Sequence, residues 1–496
     1  MLFMDYAPML KRSLPARLIK FFTYSLILFN STAIVFADNH DGDNFAQEYQ
    51  DYLGKTPNTG EVKSFELVAA AGALAVAGDR KIPMWSYNGS IPGPVLRARQ
   101  GDIVRIHFTN RLPQDTTIHW HGMRVPNAMD GVPMVTQKPV KPGASFIYEF
   151  QLQDAGTYWF HPHVRSHEQI ERGLYGVFIV ESADDPIYDD EWIWVLDDWL
   201  LSDKKSDKGQ IEESFSKGDL SSSGRLGNVL TVNAQRIPTF TAKAGSRVRV
   251  RVINAANARN FRLKLPGINT RVIAVDGNPV GAAPLLERFD IAPGNRVDID
   301  LSIPEQASDT VFAIENTFFH REAKGRILSG PERLAQIAIA GKIDKQKTFS
   351  PPLSQSVPRW DGALDTPIQH TFDFNSRLNI DSWFRGGPLV EFVINGKKYK
   401  QHEVSQLKLG SYSHIKITNG TGLYHPIHFH GMFFKVLSRN GKAVDEAYFR
   451  DTVLLDYDGS IEIGLIPLDA GAWMMHCHLL EHSALGMMTV VNVAEQ

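Results

Sequence analysis

The sequence predicts an all-β protein made of three consecutive antiparallel β-sandwiches, and three features of the chain support this prediction. A similar module occurs three times, over residues 88–110, 233–254 and 395–419, each with an Asn-containing turn followed by a glycine and a strand. Apolar and polar residues alternate within these strands, which is typical of strands with one buried face. Glycine and proline turns are frequent and helical periodicity is almost absent, which also favours sandwiches.

The three copies of the module set the expected domain organisation. In the second copy, Val248, Val250 and Val252 alternate with three arginines, so one face of this strand is predicted to be buried. We expect a first domain over residues 61–185, a second over 186–349 and a third over 366–496. Residues 38–60 and 350–365 are predicted to be linkers, and residues 202–227, rich in Ser, Lys, Asp and Gly, a long loop in the second domain.

Composition excludes several classes of protein before any motif is considered. The 496 residues fit three domains at roughly 150 residues each. A net charge of −3 gives no sign of binding to nucleic acid. One Cys against 17 His excludes an intramolecular disulfide framework and cysteine-rich zinc modules, and it points to histidine as the functional residue type.

The N-terminal 37 residues resemble a secretory signal peptide. Basic residues between positions 11 and 20 precede an apolar stretch over 21–37, which ends in Val35-Phe36-Ala37 with small residues at the positions that a signal peptidase reads. An uncleaved anchor is the alternative, although the stretch is short for a membrane span of about 20 residues. We therefore expect export, to a bacterial periplasm, by a general or a twin-arginine route.

Ten histidines lie in four short clusters, and eight of them form pairs of the type His-x-His. On a strand, the Cα atoms of such a pair are roughly 6.6 Å apart and the side chains share a face. A polar strand face would explain one pair, but four pairs matched between the first and third modules indicate a metal site. The pairs are His119 and His121, His161 and His163, His428 and His430, and His476 and His478.

Eight imidazoles exceed the ligand number of one metal ion, so a second kind of site is expected beside them. The four remaining candidate ligands are His425, Cys477, His482 and Met487. Two histidines, one thiolate and a weak thioether describe a blue-copper electron-transfer site. The eight paired histidines would suit a cluster of several copper ions with open positions. A zinc site does not fit, because one Cys among ten His is an unusual set for structural zinc.

Residues 476–478 connect the two predicted sites. Alternation along a strand directs the Cys477 side chain to one face and those of His476 and His478 to the other. The thiolate can therefore bind one copper while its two neighbours bind the cluster, which gives electrons a short covalent route.

These motifs resemble those of the multicopper oxidases, the family of laccases, ascorbate oxidase and the bacterial cuprous oxidases. All four family motifs are present, as HWHG at 119–122, HPH at 161–163, HPIHFHG at 425–431 and HCHLLEHSALGM at 476–487. The resemblance covers essentially the whole chain after the signal peptide. It implies three cupredoxin-like Greek-key domains, with a trinuclear copper cluster between the first and the third.

The resemblance also implies four copper ions per chain and the ligands of each. The implied ligands are His425, Cys477, His482 and Met487 for type 1 copper, His119 and His428 for type 2, and His121, His161 and His478 with His163, His430 and His476 for the type 3 pair. The implied reaction oxidises a substrate one electron at a time at type 1 copper and reduces O2 to water at the cluster. We expect a monomer whose partners are O2 and a small reductant.

Proton supply is where the chain departs from its bacterial relatives. Those relatives commonly carry an acidic residue directly after the last type 1 histidine, where this chain has Ser483. Asp130, eleven residues after His119, is retained, and we hypothesise that it is a catalytic residue in proton delivery. The alternative is that Asp130 only closes an Asp-Gly turn.

The substrate is left open by the motifs. Cu(I), Fe(II), Mn(II) and phenols are the candidate substrates. An axial Met implies a modest type 1 potential, which favours easily oxidised donors such as Cu(I), Fe(II) or electron-rich phenols. The chain has no methionine-rich insertion, and Thr421 stands where some cuprous oxidases have an acid. The alternative from another class is a non-enzymatic copper-sequestering or envelope structural protein on the same fold, but relatives of that kind lose ligands that this chain keeps.

Overall fold

Three sandwiches follow one another along the chain, which confirms the predicted all-β class. The computed structural model describes residues 40–202, 209–211, 222–281, 284–307, 309–321, 327–344, 356–401 and 404–495. The signal-peptide prediction lies outside these residues, as does most of the predicted loop over 202–227. Within the described part of the chain, no helix is long and apolar enough to cross a membrane.

The first sandwich consists of a sheet in the order β2-β1-β4-β6 and a sheet in the order β3-β8-β7-β5. Its strands are β1 (Val62–Ala75), β2 (Lys81–Tyr87), β3 (Val95–Arg99), β4 (Ile103–Arg111), β5 (His119–His121), β6 (Ser145–Gln151), β7 (Gly156–His161) and β8 (Gly176–Glu181).

The second sandwich packs a six-stranded sheet, β10-β9-β12-β17-β14-β15, against a five-stranded one, β11-β21-β18-β13-β16. Its strands are β9 (Asp190–Trp199), β10 (Val229–Val232), β11 (Thr239–Ala244), β12 (Arg247–Asn254), β13 (Phe261–Lys264), β14 (Asn269–Val275), β15 (Asn278–Pro279), β16 (Arg288–Ile291), β17 (Arg296–Ser302), β18 (Val311–Asn316), β19 (His320–Arg321), β20 (Ile327–Ser329) and β21 (Glu332–Lys342), of which β19 and β20 form a separate ribbon.

The third sandwich again has six strands in one sheet, β23-β22-β25-β30-β27-β28, and five in the other, β24-β32-β31-β26-β29. Its strands are β22 (His370–Leu378), β23 (Val390–Ile394), β24 (Ser405–Lys408), β25 (Ser413–Asn419), β26 (His425–Phe429), β27 (Phe434–Arg439), β28 (Lys442–Ala443), β29 (Thr452–Leu455), β30 (Ser460–Leu465), β31 (Gly471–Cys477) and β32 (Met488–Ala494).

The repeated sequence module corresponds to the same pair of strands in each sandwich. The copies contain β3 and β4, β11 and β12, and β24 and β25, so each begins on one sheet and ends on the other. Because the chain crosses between sheets here, β4, β12 and β25 run parallel to the first strand of their sandwich. The expectation of purely antiparallel sheets is therefore wrong at this point of each repeat.

The arginine face of β12 is buried, unlike the half-exposed face expected from its alternation. Arg251 is only 2% exposed, and its guanidinium contacts Glu191 at 2.8 Å and the Thr157 hydroxyl of the first sandwich at 2.8 Å. A buried guanidinium is tolerated because carboxylates and hydroxyls saturate its donors. This face is thus part of the contact between the first and second sandwiches.

Four short helices complete the described structure: α1 (His40–Leu53), α2 (Ser166–Glu171), α3 (Ile380–Phe384) and α4 (Leu480–Ala484). Single 3-10 turns occur at Asn127–Met129 and Ala363–Asp365.

Helix α1 lies where a linker over 38–60 was expected. Its apolar residues Phe45, Tyr49 and Tyr52 recur at helical spacing, share one face and are buried. Their rings pack against Trp360 and Phe449 at centroid distances of 4.8–6.1 Å. The expected linker therefore contains a packed helix, because its apolar face is buried against aromatic side chains of the third sandwich and the segment before it.

We propose domain boundaries near residues 185 and 350. The last strand of the first sandwich ends at Glu181, and the next strand begins at Asp190. The second boundary lies outside the described residues, between the end of β21 at Lys342 and the start of β22 at His370.

Candidate metal centre

The paired histidines are brought together by the edges of the first and third sandwiches. In the first sandwich, His119 on β5 lies opposite His161 on β7. In the third, His428 on β26 lies opposite His476 on β31. Each sandwich thus aligns one histidine pair beside the other, and the two sets face each other across the interface.

The eight paired histidines form one buried cluster. His163 is 8% exposed and the other seven at most 1%. Rings from opposite sandwiches stack, with centroid distances of 3.8 Å between His119 and His430 and 3.7 Å between His121 and His428. Ring nitrogens of three histidines come within 4.8 Å of one another in several combinations, which include His163 with His430 and His476, His119 with His121 and His161, and His119 with His428 and His430.

Hydrogen bonds around the cluster fix which ring nitrogen faces inward. The Nδ1 atom of His430 lies 2.9 Å from Asp130 Oδ2, and that of His476 lies 3.0 Å from the Cys477 carbonyl oxygen. Since these oxygens accept hydrogen bonds, Nδ1 carries the proton and Nε2 is a bare lone pair. The Nε2 atoms of His430 and His476 are nevertheless only 3.1 Å apart.

Two bare lone pairs at that distance repel each other unless a cation lies beside them. The Nε2 atoms of His119, His163 and His428 likewise have no hydrogen-bond partner among the described residues although they are buried. A buried polar atom without a partner is costly, and neutral imidazole nitrogens are good ligands for copper. The residues present therefore fit a cluster of metal ions.

The imidazoles are held in the neutral form that binds metal. Several of these imidazoles have a pKa well below the usual 6.5, mainly because they are buried and also because neighbouring histidines disfavour a second positive charge. They are His121, His161, His430, His476 and His478. Burial also lowers the pKa of His163 to about 3. The cluster can thus bind cations near neutral pH without first losing protons.

The metal-free protein is expected to lose stability as the pH falls below about 6.5. The histidines have lower pKa values in the folded state, down to about 3 for His163 and about 4 for His482, so the unfolded chain binds more protons in this range. Each such histidine contributes a slope of about 1.4 kcal/mol per pH unit, with full stability above pH 6.5. Urea unfolding at pH 7, 6 and 5 measures this loss. A free energy of unfolding that stays constant between pH 7 and pH 5 would contradict it.

A second centre surrounds Cys477 on the other face of β31. Its Sγ atom lies 3.3 Å from His425 Nδ1 and 4.0 Å from His482 Nδ1, and the two Nδ1 atoms are 3.2 Å apart. Met487 is fully buried in the same apolar cluster, and its carbonyl oxygen accepts a hydrogen bond from the Cys477 backbone N–H at 3.0 Å. The structure therefore brings the four residues of the predicted type 1 set together.

The outer nitrogens of both histidines at this centre are hydrogen-bonded, so their inner nitrogens are bare. His482 Nε2 donates to the Ser222 carbonyl oxygen at 2.7 Å. His425 Nε2 lies 2.6 Å from Thr421 Oγ1, which itself donates to Asn419 Oδ1 and hence accepts from the imidazole. Burial raises the pKa of the Cys477 thiol in the absence of metal, so binding of a cation would release its proton.

Two aspartates orient the cluster from opposite sides. His119 Nδ1 lies 2.9 Å from the Asp130 carbonyl oxygen and 3.0 Å from its Oδ1, while Oδ2 binds His430. His428 Nδ1 lies 3.1 Å from the Asp451 carbonyl oxygen and 3.3 Å from its Oδ1. Asp130 is 1% exposed and contacts two histidines, so it does more than close a turn. Such partners fix ligand orientation at metal sites.

Sequence reasoning missed Asp451 and the charges behind it. The Arg296 guanidinium binds both Asp451 oxygens, at 2.8 and 2.7 Å. Burial alone would raise the pKa of Asp451, but Arg296 and His428 outweigh it and hold the pKa below its usual range. Asp451 follows His428 by 23 residues, whereas Asp130 follows His119 by eleven. Because the two spacings differ, comparing the repeats could not predict that Asp451 contacts a histidine.

The second sandwich contributes a close wall to the cluster. Gly294, in the turn Ala292-Pro293-Gly294, has a φ of 87°, and a Cβ there would lie 3.0 Å from both His121 and His478. The positive φ and the close approach both require glycine. The contact of this turn with the histidines was not expected from the sequence.

Glu481 is a further buried acid that sequence reasoning missed. It is fully buried, and its Oε1 accepts a hydrogen bond from Asn257 Nδ2 at 3.0 Å. Burial raises the pKa of Glu481 to about 8. Ser483, which stands where relatives have an acid, is also buried.

The other seven histidines are absent from the metal-type groups found among the described residues. His414, for example, is 1% exposed and bonds Glu462 at 3.0 Å and the Thr366 carbonyl oxygen at 2.9 Å. His40 and His402 lie where the structure describes no side chain. These seven are His40, His107, His167, His320, His370, His402 and His414.

A buried histidine cluster beside a Cys-His-His centre, on a β-sandwich frame, is the arrangement expected of a copper-binding redox protein. Three family models described as multicopper oxidase match residues 69–185, 190–330 and 364–496. The chain is 30% identical over 439 residues to the multicopper oxidase MmcO of Mycobacterium tuberculosis, with 82% of each chain covered. The chain belongs to the multicopper oxidase family.

Solved structures agree with this assignment. A multicopper oxidase from Pseudomonas thermotolerans is 32% identical with a TM-score of 0.74, and the match covers 87% of this chain and 99% of that one. A multicopper oxidase from Campylobacter jejuni, described as a metallo-oxidase, is 25% identical with a TM-score of 0.73 and coverages of 89% and 94%. The protein is therefore an oxidoreductase of cupredoxin-like fold that uses copper, O2 and a reductant.

Proposed function

We propose that the protein couples one-electron oxidation of a small reductant to the four-electron reduction of O2 to water, with four copper ions per chain. Type 1 copper would be held by His425, Cys477, His482 and Met487, type 2 by His119 and His428, and the type 3 pair by His121, His161 and His478 and by His163, His430 and His476. When bound, these ions would accept electrons from the reductant and deliver them to O2.

The observation that carries this proposal is the pair of unprotonated Nε2 atoms of His430 and His476 at 3.1 Å. They belong to a set of eight buried imidazoles, which is more than a single ion can use. The thiol centre begins at the next residue of the same strand, since Cys477 follows His476. A binding protein for one copper would need neither the second set nor this connection.

The chain's own residues supply position, burial and proton handling. Asp130 and Asp451 hold the imidazoles of both sandwiches in fixed orientations, and the buried surroundings keep those imidazoles neutral. Asp130 is also the acid that we propose for proton delivery, because its carboxylate touches the cluster directly. Cys477 and its neighbours on β31 join the two centres covalently.

The reductant class is proposed from the type 1 residues. An axial Met487 implies a modest potential, which suits Cu(I), Fe(II) and electron-rich phenols as donors. The Campylobacter jejuni relative is described as a metallo-oxidase, which supports metal ions among these donors. Export to a periplasm and a monomeric state remain part of the proposal.

Oxygen uptake by the copper-loaded chain tests this function. We expect a blue protein that consumes O2 with a ferrous, cuprous or phenolic donor. A colourless protein that binds one copper per chain and takes up no O2 would instead indicate the copper-sequestering or structural alternative.

A further inference from the structure

The outer edge of His482 is covered by residues 222–226 of the second sandwich, which we call the cover segment. The Ser222 carbonyl oxygen accepts the His482 Nε2 hydrogen bond at 2.7 Å. On the ring face, Phe392 stacks at a centroid distance of 3.8 Å with an interplanar angle of 29°. His482 has no exposed surface, so its imidazole edge is not available to a molecule in solution.

His425 is closed off in the same way, but by the third sandwich itself. Its outer Nε2 bonds Thr421 Oγ1 at 2.6 Å, and the side chain is fully buried. The outward Nε2–H of each type 1 imidazole therefore donates its hydrogen bond to a protein oxygen. A reductant has no imidazole nitrogen to bind.

Close packing fixes the middle of the cover segment against the type 1 loop. Gly224 has a φ of 83°, and a Cβ at this position would lie 2.6 Å from Ala258 Cβ, 2.8 Å from Leu479 Cδ2 and 2.9 Å from Glu481 Oε2. These distances leave no room for a methyl group. Gly224 thus permits the approach that places the Ser222 carbonyl on His482.

Two further contacts hold the cover segment to the first and third sandwiches. The Arg225 Nε atom lies 3.0 Å from Glu171 Oε1, with both side chains at most 3% exposed. Leu226 packs against the hydrophobic core of the third sandwich, the cluster that contains Cys477 and Met487. The cover segment is therefore part of a packed interface.

We propose that the cover segment determines which donors the type 1 site accepts, an inference that rests on the proposed function. A donor outside the cover would pass one electron through the Ser222 peptide and the His482 imidazole to the type 1 copper that His482 would help to hold, and the donor would leave in its one-electron-oxidised form. Four such electrons and four protons convert one O2 to two waters. Donors that react at a distance are therefore favoured over phenols, whose hydroxyl group would have to reach the imidazole to transfer its electron efficiently.

The Gly224→Ala variant tests this proposal by pushing the cover segment away from Leu479 and Glu481. The matched control is Gly245→Ala, because Gly245 has a φ of 81° and no atom nearer than 3.5 Å to an added Cβ. Both variants place a side chain at a φ near 80° and are strained for that reason, but only Gly224→Ala has the clash. Leu226→Ala is the second test variant, since it loosens the segment without adding volume.

Labelling by diethyl pyrocarbonate in the metal-free protein measures how accessible the His482 imidazole is to solvent. This readout does not depend on enzyme activity. Peptide mass spectrometry should show little labelling in the wild type and in Gly245→Ala, with His370, which is half-buried, as the internal reference. Labelling should rise several-fold in Gly224→Ala and in Leu226→Ala. If wild-type His482 is labelled as fast as His370, the cover does not exist and the proposal is overturned.

Donor selectivity of the copper-loaded protein is the second readout. The ratio of kcat/KM for 2,6-dimethoxyphenol to that for hexacyanoferrate(II), a complex that reacts without losing its ligands, should rise on the order of tenfold in the two test variants. An unchanged ratio together with increased labelling would overturn the role in selectivity. Absence of O2 uptake with every donor would instead refute the proposed function, while the labelling would still decide whether the cover exists.

Discussion

Replacing Cys477 with serine is expected to remove the blue colour and nearly all turnover of the copper-loaded protein. The thiolate is both the strongest ligand of the proposed type 1 site and the residue that joins it to His476 and His478. Loss of an outer-shell partner costs about ten- to a hundredfold in metal affinity or activity, so loss of this ligand should cost more than about a hundredfold. Visible absorption and O2 uptake measure the two effects.

The control for this substitution is Met474→Leu, a similar-sized change at a buried residue of the same strand. It should keep colour and activity, because volume is conserved and no proposed ligand is removed. Cys477→Ser should also keep the eight paired histidines and therefore some bound copper. Activity near the wild-type level in Cys477→Ser would contradict the electron route through β31.

The Asp130→Asn variant is expected to lower turnover by about ten- to a hundredfold and to change the pH profile of the remaining activity. The carboxylate contacts His119 and His430 with its two oxygens, and an amide keeps its shape but offers only one acceptor. It also loses the ability to carry a proton. Steady-state rates between pH 5 and 8, with the copper content measured in parallel, separate activity from metal loss.

Asp451→Asn provides the comparison, since Asp451 makes the matching contacts to His428 and His121. This substitution removes the carboxylate that lies 2.7 Å from the Arg296 guanidinium. We therefore expect Asp451→Asn to lower stability or copper content more than it changes the pH profile of turnover. An Asp130→Asn enzyme with unchanged turnover and pH profile would contradict the proton-delivery hypothesis. The Asp130 carboxylate of the wild type would then only orient His119 and His430.

Much of the fold was predictable because the signals are local and repeated. The strand that contains Val248, Val250 and Val252 has a period of two, and the same strand occurs in each sandwich. The histidine motifs of the first and third modules were matched from the sequence, and the structure then pairs His119 with His161 and His428 with His476 on neighbouring strands. Parallel pairing within each sheet was not predicted, because it depends on where the chain crosses between sheets.

The parts of the site that were not predicted are those set by tertiary contacts. Asp451 reaches His428 from 23 residues away with no counterpart spacing in the first repeat. Arg296 comes from the second sandwich, which carries no histidine pair. The Ser222 contact is made by a backbone carbonyl, which leaves no trace in residue identity. Such groups can be found only once the three sandwiches are in place.

The central claim is that the two centres act together as a four-electron oxidase, and the stoichiometry of O2 consumption tests it most directly. The copper-loaded wild-type protein should contain four copper ions per chain and oxidise four equivalents of hexacyanoferrate(II) for each O2, without accumulating hydrogen peroxide. Two donor equivalents per O2 with peroxide as the product, or a single copper per chain without O2 uptake, would contradict the account.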